Sequence, residues 1–415
     1  MHIAVVGSGI AGMASAWLLS REHEVVLFEA DSRLGGHTDS HDVEVDGKSL
    51  VVDSGFIVFN EKHYPLLTRL FAEIDVASQP TMMSFSVHDE TSGIQYNAGN
   101  LRGLFCQPAN LFSPRFLRML ADLRRFYREA PSVLDLPTPG PSLGEYLAAN
   151  GYGDAFRDLH LVPMASALWS SPTARILDFP ITHLVSFMAN HSMMQLSGRP
   201  DWRVVQGGSR SYIEAFKRRW NVQVRLDSPV RSVRAQRLPT TIEVTTEAGV
   251  ESFDRVVLAC HADDALRLLA NPSVAQRDVL SAFEFQDNDT ILHTDASLLP
   301  PNRAAWAAWN VHVPAQTGGG CTVSYWMNAL QSVQTSDPLV VTLNRRPDID
   351  PTRVLRERRY RHPVQSAASV EAQSRKAEIQ GVNGICYAGA WWGHGFHEDG
   401  LRSAVDVAAH LGVSW

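Results

Sequence analysis

Apolar positions in this chain fall into short blocks whose period changes along the sequence. "HIAVV" (2–6) is an unbroken apolar run; a Gly-Ser-Gly turn and a stretch of small and apolar residues to Ser20 follow. That order reads as strand, tight turn, helix. "EVVLFEA" (24–30) and "VVDSGFIVFN" (51–60) read as further strands, and "MMSFSVHDETSGIQYN" (82–97) predicts a β-hairpin. "SPRFLRMLADLRRFYREA" (113–130) has helical period: Phe116, Leu117, Leu120, Leu123 and Tyr127 share a face, while Arg118, Arg124, Arg125 and Arg128 mostly point away. "PSVLDLPTPGPS" (131–142) is a Pro-rich connector rather than a domain boundary. "LVSFMANHSMMQL" (184–196) is apolar and Met-rich, suited to a greasy ligand or to an irregular core. "RAAWAAWNVHV", "CTVSYWMNALQSV" and "PLVVTLN" (between 303 and 344) predict strands whose alternating aromatics face a cavity. "ICYAGA" (385–390) reads as a last strand. "EDGLRSAVDVAAHL" (398–411) reads as a last helix, with Ala404 and Ala408 forming a small-residue stripe. There is no internal repeat and no low-complexity segment.

At 415 residues the chain is too long for one ordinary core, so two domains are expected. With 45% hydrophobic and 20% charged residues it is neither disordered nor fibrous. A formal net charge of −7 argues against nucleic acid as a partner. Cys106, Cys260, Cys321 and Cys386 lack the spacing of a zinc site or a disulfide frame, and no metal is expected. A strand beginning at His2 leaves no room for a signal peptide, and no apolar run approaches membrane-spanning length. The expected location is the cytoplasm. Peripheral contact with the inner face of the membrane stays open, because the arginines of 113–130 suit anionic headgroups as well as solvent.

Chemistry enters with the glycines. Gly7, Gly9 and Gly12 form GxGxxG between a strand and a helix. Gly7 would permit the tight turn, Gly9 would let a pyrophosphate approach, and Gly12 would let helix pack on strand. The amides around Ile10 and Ala11 would face the phosphates. Glu29, with Ala30 after it, ends the next strand about 20 residues later, where a ribose-binding carboxylate belongs. "EADSRLGGHTDS" then brings Arg33, the twin glycine Gly35-Gly36, and His37.

This run resembles the extended fingerprint of the glutathione-reductase-like flavoproteins, specifically their amine-oxidase branch. The resemblance implies FAD as cofactor and an α/β architecture: a Rossmann-type FAD-binding domain with an inserted α+β substrate domain. The segments 1–80, 201–275 and 380–415 would form the first, and 81–200 with 276–379 the second. It further implies that Arg33, Gly35, Gly36 and His37 pass the dinucleotide, and that Ser54, Gly55, Phe56 and Ile57 lie near the isoalloxazine. Val230, in "VRLDSPVRSVRAQ", would reach the adenine half through its backbone, and "ESFDRVVLACHADDALRLL" would return the chain to the nucleotide domain. The last strand would cross the flavin at Gly389 and Ala390, with Gly400 and Leu401 opening a helix at its pyrimidine edge. Relatives commonly carry an acidic residue where this chain has Ala390. Glu398 and Asp399 would cap that helix. Trp391, Trp392, His394 and His397 are the catalytic candidates, the tryptophans shaping an apolar slot and His394 acting as acid or base.

Amine oxidases of this branch typically use a lysine from the substrate-domain sheet, and no lysine occurs from 218 to 375. The fuller pattern, "DSGFIVFN", "SYWMNALQ" and "GHGFHEDGLRSA", resembles a bacterial subgroup of predicted NAD/FAD-binding proteins associated with cyclopropane-fatty-acid-synthase-like methyltransferases. The expected function is therefore hydride removal to flavin N5 from an apolar, lipid or fatty-acyl substrate. Oxidation of an amine or amino acid is the alternative; a membrane- or partner-binding flavoprotein with structural FAD is a third reading.

Overall fold

The computed structural model describes residues 1–415 except 170–172, 196–197, 199, 237–240 and 316–319. Leu196, at the end of the Met-rich stretch, lies outside the described residues. Five parallel strands form one sheet in the order Val222–Arg225, Glu24–Phe28, His2–Val6, Arg255–Leu258, Ile385–Tyr387. Their near-continuous Val/Ile/Leu sequences suit strands covered on both faces. The helix Ile10–Leu19 is buried at every position and packs against the last helix, His397–His410. Small residues allow that approach: a Cβ on Gly400 would lie 2.8 Å from the Ile10 side chain.

A second sheet has seven strands, ordered Val354–Val364, Glu284–His293, Val340–Leu343, Thr322–Trp326, Trp309–Val313, Phe85–Asp89, Gln95–Asn97. Its pairs are antiparallel except for Trp309–Val313 with Phe85–Asp89. Helices between residues 101 and 190 pack on one side of it. A small sheet, Val58–Asn60, Trp202–Val205, Ser78–Thr81, lies where the chain passes from one region to the other.

The helix Pro114–Glu129 forms where the period predicts it, but its inward face is turned. Phe116, Met119 and Phe126 are buried, while Leu117 is 44% exposed. Both stripes satisfy helical spacing. Phe116 and Met119 cluster with Val87 and Tyr96 of the hairpin, and Phe126 with Phe156 and Val133, so tertiary partners choose between the two.

Candidate functional site

A cavity of about 1150 Å³ is lined both by residues at the carboxyl ends of the parallel strands and by residues of the seven-stranded sheet. In open α/β sheets this is where ligands lie.

At the nucleotide end the wall is mostly main chain. Gly7 has φ +100, and its N–H donates to the Phe28 carbonyl at 2.8 Å. A Cβ on Gly12 would sit 1.8 Å from the Gly7 carbonyl oxygen, so only glycine lets the helix lie this close. Gly9 differs. Its φ is −62, open to any residue, and a Cβ there would meet no atom within 4 Å. Nothing among the described residues requires glycine at position 9, and the bare flank leaves room for a pyrophosphate to approach the backbone there. No side chain caps the helix that starts at Ile10, so its first N–H groups stay available to an anion. The Glu29 carboxylate accepts from the Ser8 N–H at 2.9 Å, the Ser8 hydroxyl at 2.5 Å and the Asp31 N–H at 2.9 Å, which fixes it on the wall. This combination of bare phosphate cradle, fixed carboxylate and a cavity long enough for more than the nucleotide fits FAD.

Of the residues assigned to the dinucleotide from sequence, Gly7, Gly9, Ile10, Ala11, Glu29, Ala30, Gly35, Gly36, His37, Ser54, Gly55, Phe56, Ile57, Val230, Gly389 and Ala390 line the cavity. Gly12, Arg33, Gly400 and Leu401 do not. Arg33 turns back to donate to the carbonyls of Gly36 at 2.8 Å and Thr38 at 3.0 Å and pairs with Asp39 at 3.2 Å, so it braces the twin-glycine loop from behind. Gly400 and Leu401 are buried against the first helix. Asp53 has a comparable bracing role: it accepts from Ser40, from the Ser209 N–H and hydroxyl and from Gln331, and burial pushes its pKa up to about 6.

The loop 389–397 divides the four catalytic candidates. His397 lines the cavity, stacks on Phe56 with ring centroids 3.7 Å apart, and holds Nε2 3.2 Å from both the Thr38 and Tyr212 hydroxyls. Burial lowers its pKa to about 3, so it is neutral. Trp391 presents an edge to the cavity while its indole N–H donates to the Cys260 carbonyl at 3.1 Å. The other two are corrections. Trp392 packs behind Trp391 against Phe283, beneath Lys376, and does not reach the cavity. His394 also turns away. Its Nδ1 lies 3.2 Å from Nε2 of His183, and its carbonyl accepts from Trp169 Nε1 at 3.0 Å. Burial, then the neighbouring His183 and His191, hold its pKa well below the usual value. The glycines Gly393 and Gly395 let the loop reverse between positions 392 and 396, which a strand-to-helix reading does not foresee.

Sequence spacing gave no sign of several other wall residues, because they come from distant segments. His261, Tyr360, Arg361 and His362 face His37 across the nucleotide end, with His37 to His362 ring centroids 5.2 Å apart. Burial lowers the pKa of His261 and of His362 to about 4. Arg361 donates to Asp263 at 2.5 Å and Asp264 at 3.3 Å, and Arg267 also pairs with Asp264, so two guanidinium groups balance that carboxylate pair. At the opposite end stand Met83, Phe85, Met164, Leu168, Trp169, Phe187, Met193, Trp202, Trp309, Tyr325 and Leu343. His191 is among them. Its Nδ1 is 3.0 Å from the Phe187 carbonyl oxygen, which can only accept, so the ring proton sits there and Nε2 keeps a free lone pair. Burial lowers its pKa to about 4.

Comparison with known proteins follows this geometry. The family model described as flavin containing amine oxidoreductase matches residues 10–287. Carotenoid phi-ring synthase of Streptomyces griseus is 25% identical over 301 residues, a match covering 66% of this chain and 55% of that protein. Zeta-carotene desaturase of Synechocystis sp. is 41% identical over 71 residues, 17% of this chain and 14% of that protein. The chain thus spans about half the length of the first of these relatives. Among solved structures, a CLA-producing fatty acid isomerase from P. acnes superposes with a TM-score of 0.69 at 14% identity, covering 98% of each chain, which shows the shared fold.

Proposed function

This chain belongs to the flavin-containing amine oxidoreductases, an FAD-dependent oxidoreductase by that membership, and we propose that its substrate is an apolar, lipid-class molecule carrying a long acyl or comparable hydrocarbon chain. The observation that carries this reading is the wall opposite the nucleotide. It is built of methionine, leucine and aromatic side chains, and among the described residues no lysine lines it. Among the described residues three acidic ones line the cavity, and none of them is both buried and unpaired. Glu29 is bound at the ribose end, Asp264 is tied to Arg267 and Arg361, and Asp201 is exposed at the rim. A protonated amine entering the apolar end would lose its hydration without gaining a buried counter-charge, at a cost of roughly several kcal/mol. A hydrocarbon chain would instead gain about 0.8 kcal/mol for each CH₂ removed from water. Two relatives named for carotenoid chemistry support the same substrate class.

FAD, when bound, supplies a two-electron acceptor for hydrogen leaving a substrate carbon. The chain's own residues do the rest. The aromatic and methionine walls exclude water and hold the hydrocarbon against the loop 389–397. His191 Nε2 is an unprotonated nitrogen on that wall, 5.8 Å between ring centroids from Phe396, and is suited to take the companion proton. It replaces His394 in that role. The lysine expected of an amine oxidase has no counterpart among the lining residues.

A titration of the bound flavin's absorbance spectrum with fatty acyl ligands and with amines of matched length tests the reading. At least tenfold tighter binding of the uncharged or acyl ligands is expected, and an amine that binds as tightly removes the argument.

A further inference from the structure

Apart from the cavity, one surface of the molecule stands out in composition. Among the described residues, eleven large hydrophobic side chains are well exposed, and four of them lie between residues 101 and 117: Leu101 (75%), Leu111 (49%), Phe112 (83%) and Leu117 (44%). They belong to three consecutive pieces, Leu101–Leu104, Pro108–Phe112 and the start of Pro114–Glu129. These share one core beneath, where Phe116 and Met119 meet Val87 and Tyr96 with Leu104 and Phe105 packed alongside. The inner residues are thus satisfied, and the outer ones have nothing over them.

Charge along this stretch of chain is one-sided. Residues 91–121 contain no Asp or Glu, in a chain whose net charge is −7, yet they carry Arg102, Arg115 and Arg118. All three are exposed, and none has a carboxylate partner among the described residues. The sequence pointed to Arg118 together with the later arginines Arg124, Arg125 and Arg128 of the same helix. Two of those are already committed: Arg125 pairs with Glu129 at 2.9 Å, and Arg128 with Glu129 at 2.9 Å. The face also adjoins the cavity. Gly99, two residues before Leu101, lines it in contact with Ser84, and Met82, 66% exposed, lines it as well.

We propose that this face docks on an anionic phospholipid bilayer, with Leu101, Leu111, Phe112 and Leu117 in the acyl boundary and Arg102, Arg115 and Arg118 at the phosphates, so that the cavity mouth opens toward the lipid phase. The pairing of large apolar side chains with unpaired cations is what an interfacial anchor needs. The inference extends the substrate reading, but its test reads vesicle binding alone and can fail while that reading stands.

The experiment is sedimentation of FAD-loaded protein with vesicles of phosphatidylcholine alone and mixed with phosphatidylglycerol. Binding to the mixed vesicles, weakened by salt, is expected. Leu101→Ser with Phe112→Ser should lower partitioning at least about tenfold, and Arg115→Gln with Arg118→Gln by roughly fivefold per arginine. Arg124→Gln with Arg128→Gln should change it by less than about twofold. These side chains are exposed and outside the cavity, so bound flavin serves as the check on folding. Failure of the wild type to bind anionic vesicles overturns the proposal, as does equal binding by all three variants. A wild-type dimer that Leu101→Ser with Phe112→Ser disperses overturns it in favour of a second copy of this chain.

Discussion

At the nucleotide end of the cavity the contacting surface is backbone: the turn at Gly7, the open flank of Gly9, the twin glycine at 35–36, and Gly389 after the last strand. At the substrate end it is side chains, contributed by the hairpin, two helices and four strands. The first end is rigid by construction, since Arg33 and Asp53 brace its loops with hydrogen bonds to carbonyls, amides and hydroxyls. The second depends on how methionines and aromatics pack. A backbone site binds what the fold dictates, and a side-chain site can be altered without disturbing the first. The two ends should therefore respond separately to substitution.

The largest expected effect is at Gly9. Because a Cβ there meets no protein atom, Gly9→Val should fold with the melting temperature of the wild-type apoprotein yet purify almost free of flavin, as read by the flavin-to-protein absorbance ratio. Gly12→Ala, whose Cβ would press on the Gly7 carbonyl, should lose stability and flavin together, by about 3 kcal/mol or more. If both variants behave alike, the distinction between ligand-imposed and fold-imposed glycine is mistaken. Next in size is His191→Ala, which should keep flavin and slow its anaerobic reduction by substrate about 100-fold, the usual contribution of a positioned base. Trp309→Ala should also keep flavin and lower reduction about tenfold, through loss of wall contact rather than of a proton acceptor; a fall in flavin content would mean that the two ends are coupled.

A smaller effect concerns pH. Burial pushes His183, His191, His261, His293 and His362 down to about 4, and His397 to about 3. Between pH 4 and 6.5 the unfolded chain takes up protons that these folded imidazoles refuse, so stability should fall as pH drops through that window. Asp53 and Asp399, pushed up to about 6 by burial, act the opposite way but are fewer. Melting temperature followed from pH 7 to 4.5 should decline; a flat profile would contradict the buried, neutral state of the imidazoles. Smallest of all is His394→Ala, expected to stay within about threefold of wild type in flavin reduction, because its ring faces His183 rather than the cavity.

This division also explains what the sequence could disclose. Glycine spacing, a strand before it and an acid after it are local, so the Rossmann-type fold and its cofactor were legible, and most of the residues assigned to the dinucleotide do line the cavity. Arg33 and Leu401, expected beside the dinucleotide, do not line the cavity, and proximity along the chain does not say which way a residue turns. His394 and Trp392 lie off the cavity lining, a placement that spacing along the chain does not disclose. His191, His261 and His362 were not readable at all. His261 and His362 come together around His37, and His191 beside His63 and Phe396, through contacts between segments distant in sequence, and a single histidine on a helix or strand carries no local signature of what it faces. The helix 114–129 shows the same limit in a milder form, since its sequence permits two inward faces and the neighbouring core selects one.

The most direct test of the central claim, a flavin at one end facing an apolar chamber at the other, is anaerobic mixing of the purified holoprotein with fatty acyl and other apolar lipids and, separately, with primary and secondary amines, following loss of oxidised-flavin absorbance. Bleaching by at least one apolar lipid and none by the amines is the predicted result. Rapid bleaching by an amine, with the lipids inert, would contradict it.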